Sequence, residues 1–323
     1  MTPFPAPAAT TAKSAAASLF AGSLLFTAAC SASGEAADTA DGGEGSGEGP
    51  SIVTSTAIWG DVAAAVVDPG TVEITPIVQD QDADPHSFEP SAADMARVEN
   101  ADIIVVGGGG YDAWLYDAVG EDNDAELIHA LPLSGGHDHG HDEHSHEGHD
   151  HGPAEANEHV WYDPAAVTDV AEQIAAAVNT LDPAAGADAT ELSGQLATVE
   201  TALQELPAQR VAQTEPIADH LLAHTAMEEV TPDGYRATSL SHSEPSAADL
   251  AAFLELIADG GLDLLIHNPQ TMTDLTDRLR EEAQNAGVPV VEIRETPPEG
   301  ENFLGYFSRV VEELAQATGA GSA

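Results

Sequence analysis

Seven histidines stand between His137 and His151 (His137, His139, His141, His144, His146, His149 and His151), interleaved with Asp, Glu, Gly and Ser and with no apolar residue among them. Imidazole and carboxylate are the ordinary ligands of zinc and its neighbours in the first transition row. A dense array of both would collect such ions weakly and at many positions. The segment cannot bury enough apolar surface to offset its ordering entropy, so a solvated loop is expected there. An acidic linker or an expression tag is the plainer alternative, and the interleaved acids in mid-chain argue against a tag. A few residues later the character changes. Asn157-Glu158-His159-Val160-Trp161-Tyr162-Asp163-Pro164 sets one histidine among aromatic and turn residues, a pattern that suggests a single placed ligand.

The elements that must position such ligands alternate. Strands are predicted over 51–58, 71–78, 102–106 and 126–130, with helices between them from Asp61, from Ser91 (Asp94 at the capping-box spacing) and from Tyr111. A helix over 165–180 stops at Asp182-Pro183, and a second, over 184–206, is expected to join two halves. The second half repeats the alternation: strands over 210–214, 236–240, 262–267 and 288–293, and helices over 216–227, 246–259, 272–286 and 303–316. This order implies an α/β fold of two doubly wound parallel-sheet lobes. The N-terminal lobe is placed at 51–182, the linking helix at 183–206 and the C-terminal lobe at 207–323.

Doubly wound sheets hold ligands at the carboxyl ends of their strands, and the polar residues of interest fall there. Asp84-Pro85-His86-Ser87-Phe88-Glu89-Pro90 follows the second strand, and His159 follows the loop after the fourth. Thr214-Glu215-Pro216 follows the first strand of the second half, and His267-Asn268-Pro269-Gln270 follows its third. Each residue also has a plainer reading. His86 could cap the helix from Ser91, and Glu215 could be a first-turn carboxylate favoured by the helix dipole. His220 and His224, four apart on one helix face, could pair on a metal; without further ligands they are expected to face solvent, and His129, His242 and His267 to be loop, core or supporting residues. Gly107 to Gly110 lacks the spacing of a dinucleotide fingerprint and is expected to let the chain turn tightly.

Charge excludes whole classes of partner. Asp and Glu number 56 against 8 Lys and Arg, a formal charge of −48. Nucleic-acid backbones and anionic lipid surfaces need basic patches, so neither is a partner. Lys13 precedes a small apolar run, 15–29, too short for a permanent span and ending at Cys30, the one cysteine of the chain. Leu24-Leu25-Phe26-Thr27-Ala28-Ala29-Cys30 resembles the lipobox of bacterial lipoproteins, with Thr27 where an aliphatic residue is usual. A lone cysteine forms no intramolecular disulfide, and lipidation is its best use; a plain cleaved signal peptide is the alternative. Residues 31–50 read as a flexible acidic tether.

DPHSFEP (84–90), the acidic histidine loop and EHVWYDP (158–164) together resemble the solute-binding lipoproteins of zinc and manganese ABC importers, the ZnuA/TroA-like cluster. GGGGYDAWL (107–115), NPQT (268–271) and AGVPVVEIRET (286–296) support it, and the resemblance covers 51–319. It implies two α/β lobes joined by a long helix, one metal ion bound in the cleft between them, and delivery of that ion to a permease driven by a cytoplasmic ATPase. It also implies a monomer anchored by lipid to the outer face of the cell membrane. By this resemblance His86 and His159 match the two histidines of the first lobe. The usual third histidine is replaced at Thr214-Glu215, which points to Glu215. The fourth position falls on Asn268, acting through its carbonyl or a bridging water. Zinc is the expected ion, with manganese or ferrous iron admitted by the extra oxygen donor. Two histidines, a carboxylate and an open position also suit a secreted zinc hydrolase, but HExxH is absent and no general base is marked by a motif, so an enzyme is not expected. A surface metal buffer or adhesin without a transporter is the third alternative.

Overall fold

The computed structural model describes residues 49–79, 88–119, 123–133, 157–241 and 243–320. Two four-stranded sheets organise them. In the first, β1 (Ser51–Thr56), β2 (Glu73–Val78), β3 (Ile103–Val106) and β4 (Glu126–His129) lie in the order β2-β1-β3-β4. In the second, β5 (Arg210–Gln213), β6 (Glu228–Glu229), β7 (Leu264–His267) and β8 (Val290–Glu292) repeat the pattern as β6-β5-β7-β8. Every pairing is parallel. Each sheet therefore reverses its strand order between its first and third strands, which opens a crevice at their carboxyl ends.

Parallel strands are covered on both faces, so they read as continuous apolar runs. All four residues of β3 and all four of β7 are buried. Alternation along the strands divides their side chains between separate cores. Ile52, Ile103 and Val105 of the first sheet join Val211, Leu264 and Ile266 of the second in one continuous cluster. The opposite faces feed local cores: Val53, Ile104 and Val106 in one, Ala212 and Leu265 in the other. The shared cluster is filled by α1 (Ala57–Val66), α4 (Pro164–Leu181), α5 (Thr190–Gln204) and α10 (Phe303–Ala317). The outer faces are covered by α2 (Ala92–Glu99) and α3 (Ala113–Tyr116) on the first sheet. On the second they are covered by α7 (Asp233–Leu240), α8 (Ala247–Ala258) and α9 (Asp274–Asn285). Ser91 closes a capping box with Asp94 at the start of α2, as its spacing predicts, and Ser246 with Asp249 does the same for α8.

Local structure departs from the sequence reading in four places. The joining helix begins at Thr190 and not at 184, because Gly186 takes a left-handed φ of +63° and Asp188 caps the Thr190 amide at 2.9 Å. Residues 236–240, read as a strand, belong to α7, which buries Tyr235 on its inner face. The strand of that region is Glu228–Glu229, paired with Arg210 and Val211 through backbone alone. Between 216 and 227 the helix shrinks to α6 (Asp219–Leu222). The boundary drawn at 207–323 is also simpler than the packing, since α10 lies against α1 and α5 as well as β8. The Phe303 amide at its start donates to Asp61 Oδ2 of α1 at 2.7 Å.

The glycine run does turn tightly. Gly108 has φ +81°, and a Cβ there would sit 2.3 Å from the Leu131 carbonyl oxygen. Asp112, fully buried, accepts the amides of Gly107 (2.6 Å) and Gly108 (3.0 Å) and so fixes the turn. Burial raises the Asp112 carboxyl above its ordinary value, and these amides hold it back. Gly108→Ala combines backbone strain with a clash against a main-chain atom. It is expected to destabilise the protein by at least ~2 kcal/mol, measured by urea unfolding.

His224, just after α6, reaches across to the first lobe. Its Nε2 lies 3.0 Å from Asp163 Oδ1, and its Nδ1 lies 3.7 Å from Glu200 on α5. The hydrogen bond to Asp163 raises the imidazole above its ordinary 6.5, against the effect of burial. Burial pushes the Asp163 carboxyl up, but His224 and the amides of Ala165 and Ala166 together hold it below its ordinary 3.8. The His224 contribution is complete below 6.5 and disappears as pH rises through the higher folded value. The Asp163 contribution is present above 3.8 and disappears as pH falls through the lower one. The pair thus stabilises most between about pH 4 and 6.5. A partly buried pair that solvent still screens contributes ~1 kcal/mol at most. His224→Gln is expected to lower Tm by about 2 °C at pH 5.5 and by less at pH 9. Equal losses at both pH values in calorimetry would refute the charge pairing.

Candidate metal centre

The sequence around His159 folds as a short, rigid anchor. Val160–Tyr162 form a single 3-10 turn with all three side chains buried, and Asp163 then caps α4 with Pro164 in its first turn. Trp161 and Tyr162 drive this by burial. Trp161 packs edge-on against the His159 ring at 5.3 Å between centroids and against Tyr111 at 4.8 Å. His159 itself is 1% exposed.

The second sheet brings two carboxylates to the same place. Glu215 follows β5 by two residues and Glu295 follows β8 by three, and both are buried. One ligand atom from each of His159, Glu215 and Glu295 lies within 4.8 Å of the other two. His159 Nε2 and Glu215 Oε1 are 3.8 Å apart. Two carboxylates facing each other in a buried site repel, and a divalent cation among them turns that repulsion into attraction. An imidazole nitrogen and two carboxylate oxygens converging from different loops form a ligand set that such an ion would close.

The surrounding donors aim the carboxylates. Asn268 Nδ2 donates to Glu215 Oε2 at 2.6 Å and to Glu295 Oε1 at 3.1 Å, bridging the two. Thr271 Oγ1 also donates to Glu215 Oε2, and the Tyr111 hydroxyl donates to Glu295 Oε2 at 3.3 Å. Burial, followed by the charge of Glu295, keeps the Tyr111 phenol well above its ordinary range, so it stays a donor. Glu295 is held through its neighbour: the Tyr162 hydroxyl donates to the Arg294 carbonyl at 2.6 Å, and the Arg294 amide donates to the Tyr306 hydroxyl at 2.7 Å.

This geometry revises the sequence expectation at one position. Asn268 is at the rim of the set, but it turns its amide nitrogen toward the carboxylates, and a protonated nitrogen does not ligate. Its Oδ1 accepts from the Gln270 amide at 2.9 Å, which fixes that orientation. The acid that the structure brings beside His159 and Glu215 is Glu295, inside the EIRET segment that the resemblance used only as general support. What marked it in sequence was its position just past the carboxyl end of the last strand. His159 and Glu215 come together as expected.

His220 and His224 do not face solvent; both are partly buried and hold the 157–163 segment, His220 Nε2 lying 2.6 Å from the Asn157 carbonyl. His267 is 1% exposed and contacts Thr214 Oγ1 at 3.3 Å, and burial lowers its pKa below the ordinary value. His129 meets the Leu131 carbonyl at 3.0 Å. His86, the loop histidines 137–151, His242 and Cys30 lie outside the described residues.

Comparison with known proteins agrees with this architecture. A 34% identical stretch of 88 residues matches the manganese-binding lipoprotein MntA of Halalkalibacterium halodurans, covering 27% of this chain and 28% of that protein. The zinc-binding lipoprotein AdcA of Streptococcus pneumoniae is 25% identical over 260 residues, 73% of this chain and 49% of its own. The chain thus spans about half the length of AdcA and less of MntA. Among solved structures, the periplasmic zinc-binding protein TroA of Treponema pallidum superposes with a TM-score of 0.63 at 19% identity, over 84% of this chain and 99% of that one. The family model described as ZnuA, zinc-uptake complex component A, periplasmic, matches residues 52–317. Two parallel four-stranded sheets, a buried imidazole and two carboxylates converging beyond them, and a family match over nearly the whole described chain lead to one conclusion: this protein belongs to the ZnuA family.

Proposed function

We propose that the protein is an extracytoplasmic receptor that captures one divalent first-row transition ion between its lobes and delivers it to an ABC permease and its ATPase. The observation that carries this reading is the buried convergence of His159, Glu215 and Glu295 from loops of both sheets. His86, in the DPHSFEP segment, is proposed as the further ligand from the first lobe. The names of two relatives, one manganese-binding and one zinc-binding, support this class of ion for the family.

Zinc binds a given nitrogen and oxygen site more tightly than manganese does. Two carboxylates in place of a third imidazole narrow that advantage, because oxygen ligands suit manganese. We therefore propose manganese as a cargo beside zinc, a shift from the zinc preference drawn from the histidine loop. Seven loop histidines would serve as a weak collector feeding the cleft. Cys30 would carry the lipid that keeps a monomeric receptor at the outer face of the membrane. Catalysis is not proposed, since both carboxylates and the imidazole are assigned as ligands and no other acid or base is marked as acting on a bound substrate.

Ligands and supporting donors should separate in titration. Glu295→Ala is expected to weaken Mn²⁺ binding by at least ~100-fold, measured by calorimetry. It should weaken Zn²⁺ less, since three ligands and a water suffice for zinc. Asn268→Ala is expected to cost about 10-fold for either ion, the range for residues that orient ligands. The reverse order of effects would return the fourth position to Asn268.

A further inference from the structure

Asn157 stands between the His159 ring and the second lobe. Its Oδ1 accepts twice from one residue, the His159 amide at 3.0 Å and the His159 ring Nδ1 at 2.8 Å. Its Nδ2 faces the other way, toward the second lobe, and donates to the Pro216 carbonyl and to Asp219 Oδ2 at 2.8 Å. Both groups on that side are acceptors, so the amide has one satisfactory orientation and Oδ1 must face the histidine. An oxygen that can only accept requires a proton on Nδ1. In the neutral ring the second nitrogen, Nε2, then carries no proton, and it lies 3.8 Å from Glu215 Oε1.

Asp219 is itself fixed. Arg236 of α7 grips it with two donors, Nη2 to Oδ2 at 2.6 Å and Nη1 to Oδ1 at 3.0 Å, and Gln213 Nε2 donates to Oδ1 at 2.7 Å. Glu229 Oε2 lies 3.4 Å from Arg236 Nη1 and adds a second carboxylate to the guanidinium. His220 meets the Asn157 backbone carbonyl at 2.6 Å, so the second lobe restrains this residue through main chain and side chain together. The chain Arg236–Asp219–Asn157–His159 thus runs from the second lobe to the histidine ligand of the first.

We infer that Asn157, held by the Asp219–Arg236 ion pair, is a positioning residue that sets the tautomer and ring orientation of His159, so that metal affinity in the first lobe depends on α6 and α7 of the second. A permease that displaces α7 would break the ion pair and loosen the Asn157 hydrogen bond to the His159 ring, lowering affinity without touching the metal. The inference deepens the proposed capture function and rests on it for the role of affinity. The tautomer stands independently.

The test uses the full chain and two readouts. Long-range proton–nitrogen NMR of the imidazole rings, with His159 assigned by comparison with His159→Gln, reports the tautomer in metal-free protein. Calorimetric titration with Mn²⁺ and with Zn²⁺ alone reports affinity. Wild type should show the Nδ1-protonated form. Asn157→Ala should populate the Nε2-protonated form and weaken both ions by about 10–100-fold. Asp219→Asn and Arg236→Gln leave residue 157 intact and guard against misfolding of the first variant; each should move the tautomer the same way and weaken binding by about 10-fold. An unchanged tautomer in the folded variants, or affinities within twofold of wild type while wild type binds tightly, overturns the inference. Failure of wild type to bind either ion would instead overturn the capture function, while the tautomer would still decide whether Asn157 orients the ring.

Discussion

Mutual repulsion between two buried carboxylates is the constraint on which the rest of the site depends. Glu215 and Glu295 both converge on the space beside His159, and neither could be held there without compensation. Asn268 supplies it by donating to both at once, and Thr271 and Tyr111 each add a further donor to one carboxylate. These donors are neutral, so they hold the acids in place without neutralising them. The charge remains available to a cation. The same logic explains why the supporting groups are amide and hydroxyl, and not arginine or lysine: a fixed positive charge would compete with the ion.

The fold serves this constraint by repetition. Two sheets with the same parallel strand order each place their ligand-bearing loops at the carboxyl ends of the strands. On the second sheet these loops are short: Glu215 lies two residues past β5 and Glu295 three past β8. Aromatic residues complete the aim. Trp161 packs against His159, and Tyr162 and Tyr306 bracket Arg294 from its two main-chain sides. The candidate site's side chains from different lobes are thereby set by packing that crosses between the lobes.

Much of this could be read in the sequence, and the failures have physical causes. Continuous apolar runs such as IIVV at β3 and LLIH at β7 announce parallel strands, and both formed where expected. Glu228–Glu229 carries no apolar signal because its strand pairs through backbone alone, so the neighbouring 236–240 was mistaken for it. His159 stood out because Trp161, Tyr162 and Asp163-Pro164 surround it with burial and turn chemistry. Glu295 did not, since an acid in a chain with 56 of them is ordinary until geometry singles it out. Asn268 lies beside the carboxylates with its amide nitrogen toward them: sequence locates a side chain near a site, but which end of an amide faces inward is decided by a main-chain donor two residues on, Gln270. The part played by His220 was likewise invisible, because its partner is a backbone carbonyl 63 residues away.

One apolar cluster draws side chains from both sheets and from α1, α4, α5 and α10. Two lobes that share a core are not independent folding units, because cutting between them would expose apolar surface that each needs covered. The chain is therefore one cooperative block, and neither half is a spare part that evolution or an experimenter could exchange alone. Wide separation of the lobes would expose that same apolar surface to water and carries the same cost.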